Sequence, residues 1–524
     1  MTSLSRRTFL ELLARTGSAP ALMQAAAWFG MTPAKADEPV LSGIRPVQGK
    51  PKVLILGAGI SGLVAAYELG KAGYECTILE ASHRAGGRNL TLRHGDLIDE
   101  LGNPQICPFD DEPHLYFNAG PARISAHHTG IMHYCRELGV EMMLFNNHNK
   151  NCYTQDDAAF DGKPVRIGNY ETDARGFLSE LMAKSLINLD KLDAPFNEVD
   201  KELLVRFMDH YGDLGSDHRY HGSSRSWYNK GGILDPGELK KPLSFKELMK
   251  SHFWSTAMHF AEMADQAGAM LTPVGGMDHI VTGFLRHVGD RVTLNAQVQR
   301  VQLLDAGVEV SYLHKGNLET VRADYCINCI PTQIMAGIDN NFPAPYRRVL
   351  ASIQRGNLFK IGFQAKERFW EREGIFTGIS WTTQDITQLW YPEHGTFKQK
   401  GVFLGAYTWD PVVAHRFTQL GPEQRLETAI RQGEKIHPGY RGWIENGISI
   451  SWHRMNHMLG CGTYWTPEIY DAAFATLQAP AKRHYLIGDQ IALLPGWQEG
   501  AVQSAWHAML DIQQRESARS GSTV

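Results

Sequence analysis

Cysteine is scarce in this chain. Seven residues in 524, at positions 76, 107, 135, 152, 326, 329 and 461, are scattered and odd in number. That excludes a disulfide framework as the source of stability. Cys326 and Cys329 form a CxxC, but no second Cys/His pair at ligand spacing accompanies them. The strand-like context Tyr325 to Ile330 points to a buried, inert pair rather than zinc or a redox couple. Charge of one sign is also lacking: 52 Lys and Arg face 56 Asp and Glu, for a net charge of -4. With no dominant basic stretch, a nucleic-acid partner is not expected. After the N-terminus there is no run of eighteen uninterrupted apolar residues, so no membrane span is expected.

What is present is an ordinary globular balance, 43% hydrophobic and 21% charged, in a chain long enough for two or three domains. The N-terminus carries the parts of an export signal in order. Ser5-Arg6-Arg7-Thr8-Phe9-Leu10 is a twin-arginine pattern, Ala19 to Met31 is mildly apolar, and Ala34-Lys35-Ala36 is a small-x-small cleavage site. Residues 1–36 are therefore expected to be a leader handled by the Tat export machinery, and the mature protein to be periplasmic or secreted.

The firmest motif follows. Lys52-Val-Leu-Ile-Leu56 is a short apolar run, expected to be a parallel strand covered on both faces. Gly57-Ala58-Gly59-Ile60-Ser61-Gly62 comes at once, then a helix from Ile60 to Lys71 and a second strand from Cys76 to Leu79 ending in Glu80. Gly57 permits the turn, Gly59 a close approach of backbone to pyrophosphate, and Gly62 close packing of helix on strand. The helix start offers N–H groups and a positive dipole end to phosphates. Glu80, beside Ala81, can accept hydrogen bonds from a ribose. Strand, loop, helix, strand and acid in this order predict a dinucleotide site.

Arg84-Ala85-Gly86-Gly87-Arg88 adds another close approach and two guanidinium groups for phosphate or flavin. No second fingerprint for a nicotinamide appears, since Gly275-Gly276 and Gly460-Cys461-Gly462 lack the strand–loop–helix setting. Electrons would then have to come from the substrate, which favours an oxidase over an NADPH-dependent monooxygenase.

Together these motifs resemble the flavin-containing amine oxidase family, L-amino-acid oxidase branch, from about Lys52 to Arg515. The resemblance implies an α/β fold: a Rossmann-like FAD-binding domain (48–115, 271–345 and 453–515), a mixed-sheet substrate domain (116–160 and 346–452) and a helical insertion (161–270). Residues 516–524 are expected to be a disordered tail, and a homodimer is the expected assembly. The insertion's His-rich Asp217 to His221 reads as a solvated loop.

Several motifs carry the likeness. Asn118-Ala-Gly120-Pro121-Ala122-Arg123 is similar to the segment whose arginine binds the substrate carboxylate, and a guanidinium fork is the natural partner of a carboxylate. Gln388-Leu-Trp-Tyr391-Pro392 implies Tyr391 as a phenol for the same carboxylate. Lys360, inside an apolar strand, implies a water-holding lysine beside flavin N5 that assists reoxidation by oxygen. Gly488 and Asp489 are implied on the ribityl or phosphate side. Gly496 would accept a hydrogen bond from the substrate amine, Trp497 would wall the cavity, and the Gly500 and Ala501 amides would face flavin O2. Val298 is implied at adenine and Trp452 against the flavin ring.

Cys461 lies where monoamine oxidases bond covalently to flavin, but Gly462 replaces the tyrosine of their aromatic cage. Non-covalent FAD is the expectation, with a Cys461 link as the alternative. The implied reaction is oxidative deamination of L-amino acids by O2. The alternatives are a mono- or polyamine oxidase, a decarboxylating, amide-forming monooxygenase, and an FAD-binding protein that is no oxidase.

Overall fold

The computed structural model describes residues 44–188, 198–266, 268–463, 465 and 467–521. The expected leader, residues 1–36, lies outside these. The elements that position the site are, in chain order, β1 (Lys52–Leu56), α1 (Ile60–Lys71), β2 (Glu75–Leu79), β3 (Tyr153–Gln155), β4 (Val165–Arg166), α2 (Ile167–Asn188), α3 (Glu198–Gly212), β5 (Met270–Pro273), β6 (Val292–Thr293), β7 (Tyr325–Asn328), β8 (Phe359–Ala365), β9 (Gly378–Thr382), β10 (Gln388–Tyr391), β11 (Gly401–Thr408), β12 (Ile444–Ser451), β13 (His484–Leu486) and α4 (Gln498–Gly521).

Two sheets organise them. One is wholly parallel, in the order β6-β2-β1-β7-β13. Helices α1 and α4 pack together against it, and Leu63, Val64, Val502 and Met509 are fully buried there. Burial on both faces is why β1 is an unbroken apolar run. The other sheet is mixed, in the order β4-β3-β9-β10-β11-β8-β12. Every residue of β8 to β10 is buried, so these strands show no apolar/polar alternation.

The α/β class and the βαβ unit of the sequence reading hold, with the first helix at the residues expected. The insertion contains α2 and α3, but also a β-hairpin (Tyr228–Lys230 with Glu238–Leu239) and only short helices after it. The tail expectation is corrected: α4 runs on to Gly521. Its polar sequence reads as solvated, yet Glu516 is buried and accepts a hydrogen bond from the Tyr325 hydroxyl at 2.6 Å. No helix of the described residues is long and apolar enough to cross a membrane.

A buried ion pair clamps the second sheet. Arg425 donates to both Glu100 oxygens, at 3.0 and 2.6 Å, and the Ser451 amide on β12 adds a third bond to Glu100. Both side chains are wholly inaccessible. Replacing Glu100 with alanine would strand the guanidinium, and the fold is expected to lose about 3–5 kcal/mol, read as a lowered denaturant midpoint.

Candidate active site

A cavity of about 500 Å³ runs between the two sheets. At one end lie Glu80, Ala81 and Val298. The glycine loop, with Gly57, Gly59, Ile60 and Ser61, lines the middle. Trp452, Cys461, Tyr407, Gly496 and Trp497 line the far end. The loop is built as its glycines require. A Cβ on Gly62 would lie 2.2 Å from the Gly57 carbonyl oxygen and 3.2 Å from Cys329 Sγ, so helix and strand meet there. A Cβ on Gly59 or Gly496 would meet no protein atom within 4 Å, which leaves open room for a ligand. The start of α1 has no side-chain cap, so its first amides remain for an anion. Glu80 braces the loop itself, accepting from the Ala58 amide at 2.7 Å and the Ser82 amide at 2.8 Å. Burial pushes its pKa up, against the pull of these bonds.

Three charged side chains meet beyond the loop. Arg88 grips both oxygens of Asp489 and donates to the Cys461 carbonyl at 2.8 Å. Asp489 also accepts from the Gly496 amide at 2.8 Å. Burial opposes its charge, but Arg88, with Arg355 behind it, holds its carboxyl below the ordinary value. Arg355, not singled out from sequence, lines the same wall. Its Nε is buried without a partner, and burial lowers its pKa to about 10. Two guanidinium groups against one carboxylate leave a net positive wall, which suits an anionic cofactor. An open cradle over glycine, an uncapped helix start and a surplus cation fit a dinucleotide flavin.

Some expected ligands turn elsewhere. Arg84 folds back onto the Ala85 and Gly87 carbonyls and braces its own turn. Gly500 is a packing position, where a Cβ would lie 2.6 Å from the Leu494 oxygen, while Ala501 lines the cavity. Gly120, Pro121, Gly87 and Gly488 line it, whereas Ala122 lines a separate small cavity. Trp452 is held by a bond from its Nε1 to the Ala119 carbonyl at 2.9 Å. Cys461 lines the cavity and is a free thiol, as are Cys326 and Cys329.

At the far end, fully buried β8 and its neighbour β11 place Lys360 and the partly exposed Tyr407 directly opposite each other. The Lys360 ammonium sits 4.5 Å from the Tyr407 ring centroid and donates to the Asn118 and Gly120 carbonyls. Burial lowers its pKa to about 7. Arg123 is buried beside them. Its Nε and Nη2 both donate to Gln266 Oε1, at 3.1 and 2.9 Å. Its guanidinium carbon lies 4.4 Å from the Trp390 ring centroid, 5.5 Å from Phe260 and 5.6 Å from Trp497. Among the described residues no carboxylate pairs with it; its ionisable neighbours are Tyr407 and Asp265. Burial pulls its pKa down to about 10, which still leaves it charged at neutral pH.

Tyr391 does not join this group. It is fully buried, its hydroxyl bonded to Ser380 at 2.8 Å and to His437 at 2.5 Å. On a strand successive side chains face opposite ways, and it is Trp390 that faces Arg123. The phenol near the guanidinium is Tyr407. Two further residues come from the end of the insertion: Gln266, and Asp265, which accepts from Trp497 Nε1 at 3.0 Å. The other side of Trp497 meets His128 edge-on, with ring centroids 4.8 Å apart. Burial lowers the His128 pKa to about 4, so its imidazole is neutral at physiological pH.

A family model for flavin-containing amine oxidoreductases matches residues 60–509. The chain belongs to this family. It is 25% identical to the L-amino acid oxidase Bs29 of Bothriechis schlegelii, over 92% of this chain and 93% of that protein. It is 27% identical to the L-amino-acid oxidase of Pseudechis australis, over 90% and 88%. Among solved structures it resembles putrescine oxidase bound to putrescine, with a TM-score of 0.60, 19% identity, and 88% and 98% of the two chains covered. Cyclohexylamine oxidase from Brevibacterium oxydans also gives 0.60, at 16% identity over 89% and 99%. These structural likenesses concern the fold. The protein is thus a flavin amine oxidoreductase.

Proposed function

We propose that this enzyme oxidises L-amino acids, with FAD held non-covalently, to 2-oxo acids, ammonia and hydrogen peroxide. The observation that carries this reading is Arg123: a buried guanidinium that makes no salt bridge among the described residues, with Asp265 as the acid in its neighbourhood, in an aromatic chamber beside the cavity's far end. A buried cation is costly unless something pairs with it, and a substrate carboxylate would do so. An amine substrate lacking that carboxylate would bring a second positive charge to Arg123. The curated relatives named as L-amino-acid oxidases support the same choice.

Each residue then has a task. Arg123 takes the carboxylate, with Tyr407 as the phenol beside it. Gln266 Oε1, accepting from two nitrogens of Arg123, fixes the orientation of its fork. Fixing the carboxylate orients the Cα–H and excludes other poses, which is a large part of the rate. The Gly496 carbonyl receives the amine, and Trp497, pinned by Asp265 and His128, walls the side chain. Flavin bound in the cavity would supply the acceptor for two electrons from Cα, with oxygen as the final acceptor. Lys360 places a positive charge where oxygen is reduced, and water completes the conversion of the imine to the 2-oxo acid.

Tyr407→Phe is expected to raise KM for L-amino acids about 5- to 10-fold, one hydrogen bond's worth. Tyr391→Phe should leave KM unchanged and lower stability instead. Steady-state kinetics with a denaturant melt tells the two apart, and the reverse pattern would restore Tyr391 to the site. The function itself is tested by peroxide release over L- and D-amino acids and common amines, with product identification. Equal yields of peroxide and 2-oxo acid from L-amino acids are expected. An amide product would mark a monooxygenase, release from amines alone an amine oxidase, and no flavin reduction by either a non-oxidase.

A further inference from the structure

The wall that holds Trp497 carries a charge that fixing an indole does not need. Asp265 Oδ2 accepts from Trp497 Nε1 at 3.0 Å and from Gln266 Nε2 at 3.4 Å. A neutral carbonyl oxygen would serve both bonds. Among the described residues Asp265 Oδ1 has no protein donor, and no lysine or arginine forms a salt bridge with the carboxylate. Gln266 links this acid to Arg123, because its Oε1 accepts from that guanidinium. Asn147 adds a second acceptor. Its Nδ2 donates to the same Gln266 oxygen at 3.1 Å, while its Oδ1 is buried without a partner.

Trp497 sets the two charges apart. The Arg123 guanidinium carbon is 5.6 Å from its ring centroid, and Asp265 meets its Nε1 edge. A substrate that gives its carboxylate to Arg123 and runs its side chain along Trp497 therefore ends at an acid. The surroundings have the same sign. Glu262, three residues before Asp265, is exposed, and Glu171 pairs with His148, the residue after Asn147, at 3.3 Å. His148 lies near Glu262 as well, with Lys150 as the basic group beside it. Three carboxylates against one lysine on this side of the chamber favour the approach of a cation.

We propose that Asp265 makes the enzyme selective for L-amino acids with a cationic side chain, such as L-lysine, L-ornithine and L-arginine, whose ammonium or guanidinium pairs with its carboxylate. The inference rests on the amino-acid oxidase reading above and names the substrate class within it. Such a substrate brings an anion to Arg123 and a cation to Asp265, so both charges of the chamber gain a partner in one binding event.

The test is flavin reduction without oxygen by L-lysine and by L-norleucine, which has the same carbon chain and no terminal charge. L-Lysine is expected to be favoured roughly 100-fold in kcat/KM, the scale of one charge-assisted bond. L-Glutamate, with the opposite charge, should be a poor substrate. Asp265→Asn keeps an oxygen for Trp497 Nε1 and removes the charge, so the ratio of lysine to norleucine should fall to near one. Asp265→Glu keeps the charge and should still favour L-lysine. An acid that served only to balance Arg123 would, in Asp265→Asn, change both substrates by the same factor. An unchanged ratio would therefore overturn the proposal, as would a wild-type preference for L-norleucine. Failure of every L-amino acid to reduce the flavin would overturn the function itself, and this inference with it.

Discussion

Arg123→Ala is expected to raise KM for L-amino acids roughly 100-fold, the scale of about 3 kcal/mol for a charge-assisted pair. The effect should be specific to the carboxylate. Decarboxylated amines, which bring no anion, should be turned over no worse, and removal of the buried cation should help them bind. Arg123→Lys keeps the charge but loses the planar fork and its two bonds to Gln266. It should fall between wild type and alanine. The measurement is KM and kcat for one amino acid and its amine, on all three proteins. A change in kcat alone, or an equal loss for acid and amine, would remove Arg123 from substrate binding.

Lys360→Met is expected to slow the reaction of the reduced enzyme with oxygen about 100-fold while leaving reduction by substrate within a few fold. The pH profile should identify the cause. Burial lowers the Lys360 pKa to about 7. Below that value the side chain carries its proton and can stabilise negative charge forming on oxygen. Above it the side chain is neutral and that help is lost. The rate constant with oxygen should therefore fall as pH rises through about 7 in the wild type and stay flat in Lys360→Met. Rapid mixing of reduced enzyme with oxygen over this range provides the check. The same pH profile in both proteins would show that another group titrates.

Both predictions rest on residues that the sequence marked, and the contrast with Tyr391 shows what makes a residue legible. The glycine loop could be read because each glycine answers a local demand, and Gly62 packs against Gly57 as its place in the motif requires. Lys360 stood out because a lysine is unusual in the run Phe359 to Ala365, and the structure finds it buried, donating to the Asn118 and Gly120 carbonyls. Tyr391 could not be placed. All of β10 is buried, so the alternation that would show which side faces the chamber is hidden under apolar residues on both sides. Tyr407 had a signal that was passed over: it is a polar-tipped residue near the end of a buried strand, and antiparallel register puts it across from Lys360.

Long-range partners were out of reach in a different way. Asp265 and Gln266 lie more than a hundred residues from Arg123 in the chain, in a turn with no motif of its own. They matter only because the insertion folds back over Trp497. Arg355 was equally silent, since an arginine before a strand is usually a surface charge. Its meaning appears only once Arg88 has taken the Asp489 carboxylate.

The central claim is that this flavin site selects its substrate by a carboxylate. It is tested most directly by mixing the oxidised enzyme without oxygen with an L-amino acid, its D-enantiomer and its decarboxylated amine, and following the flavin absorbance. Rapid bleaching by the L-amino acid alone is expected. Bleaching by the amine as fast as by the L-amino acid would contradict it.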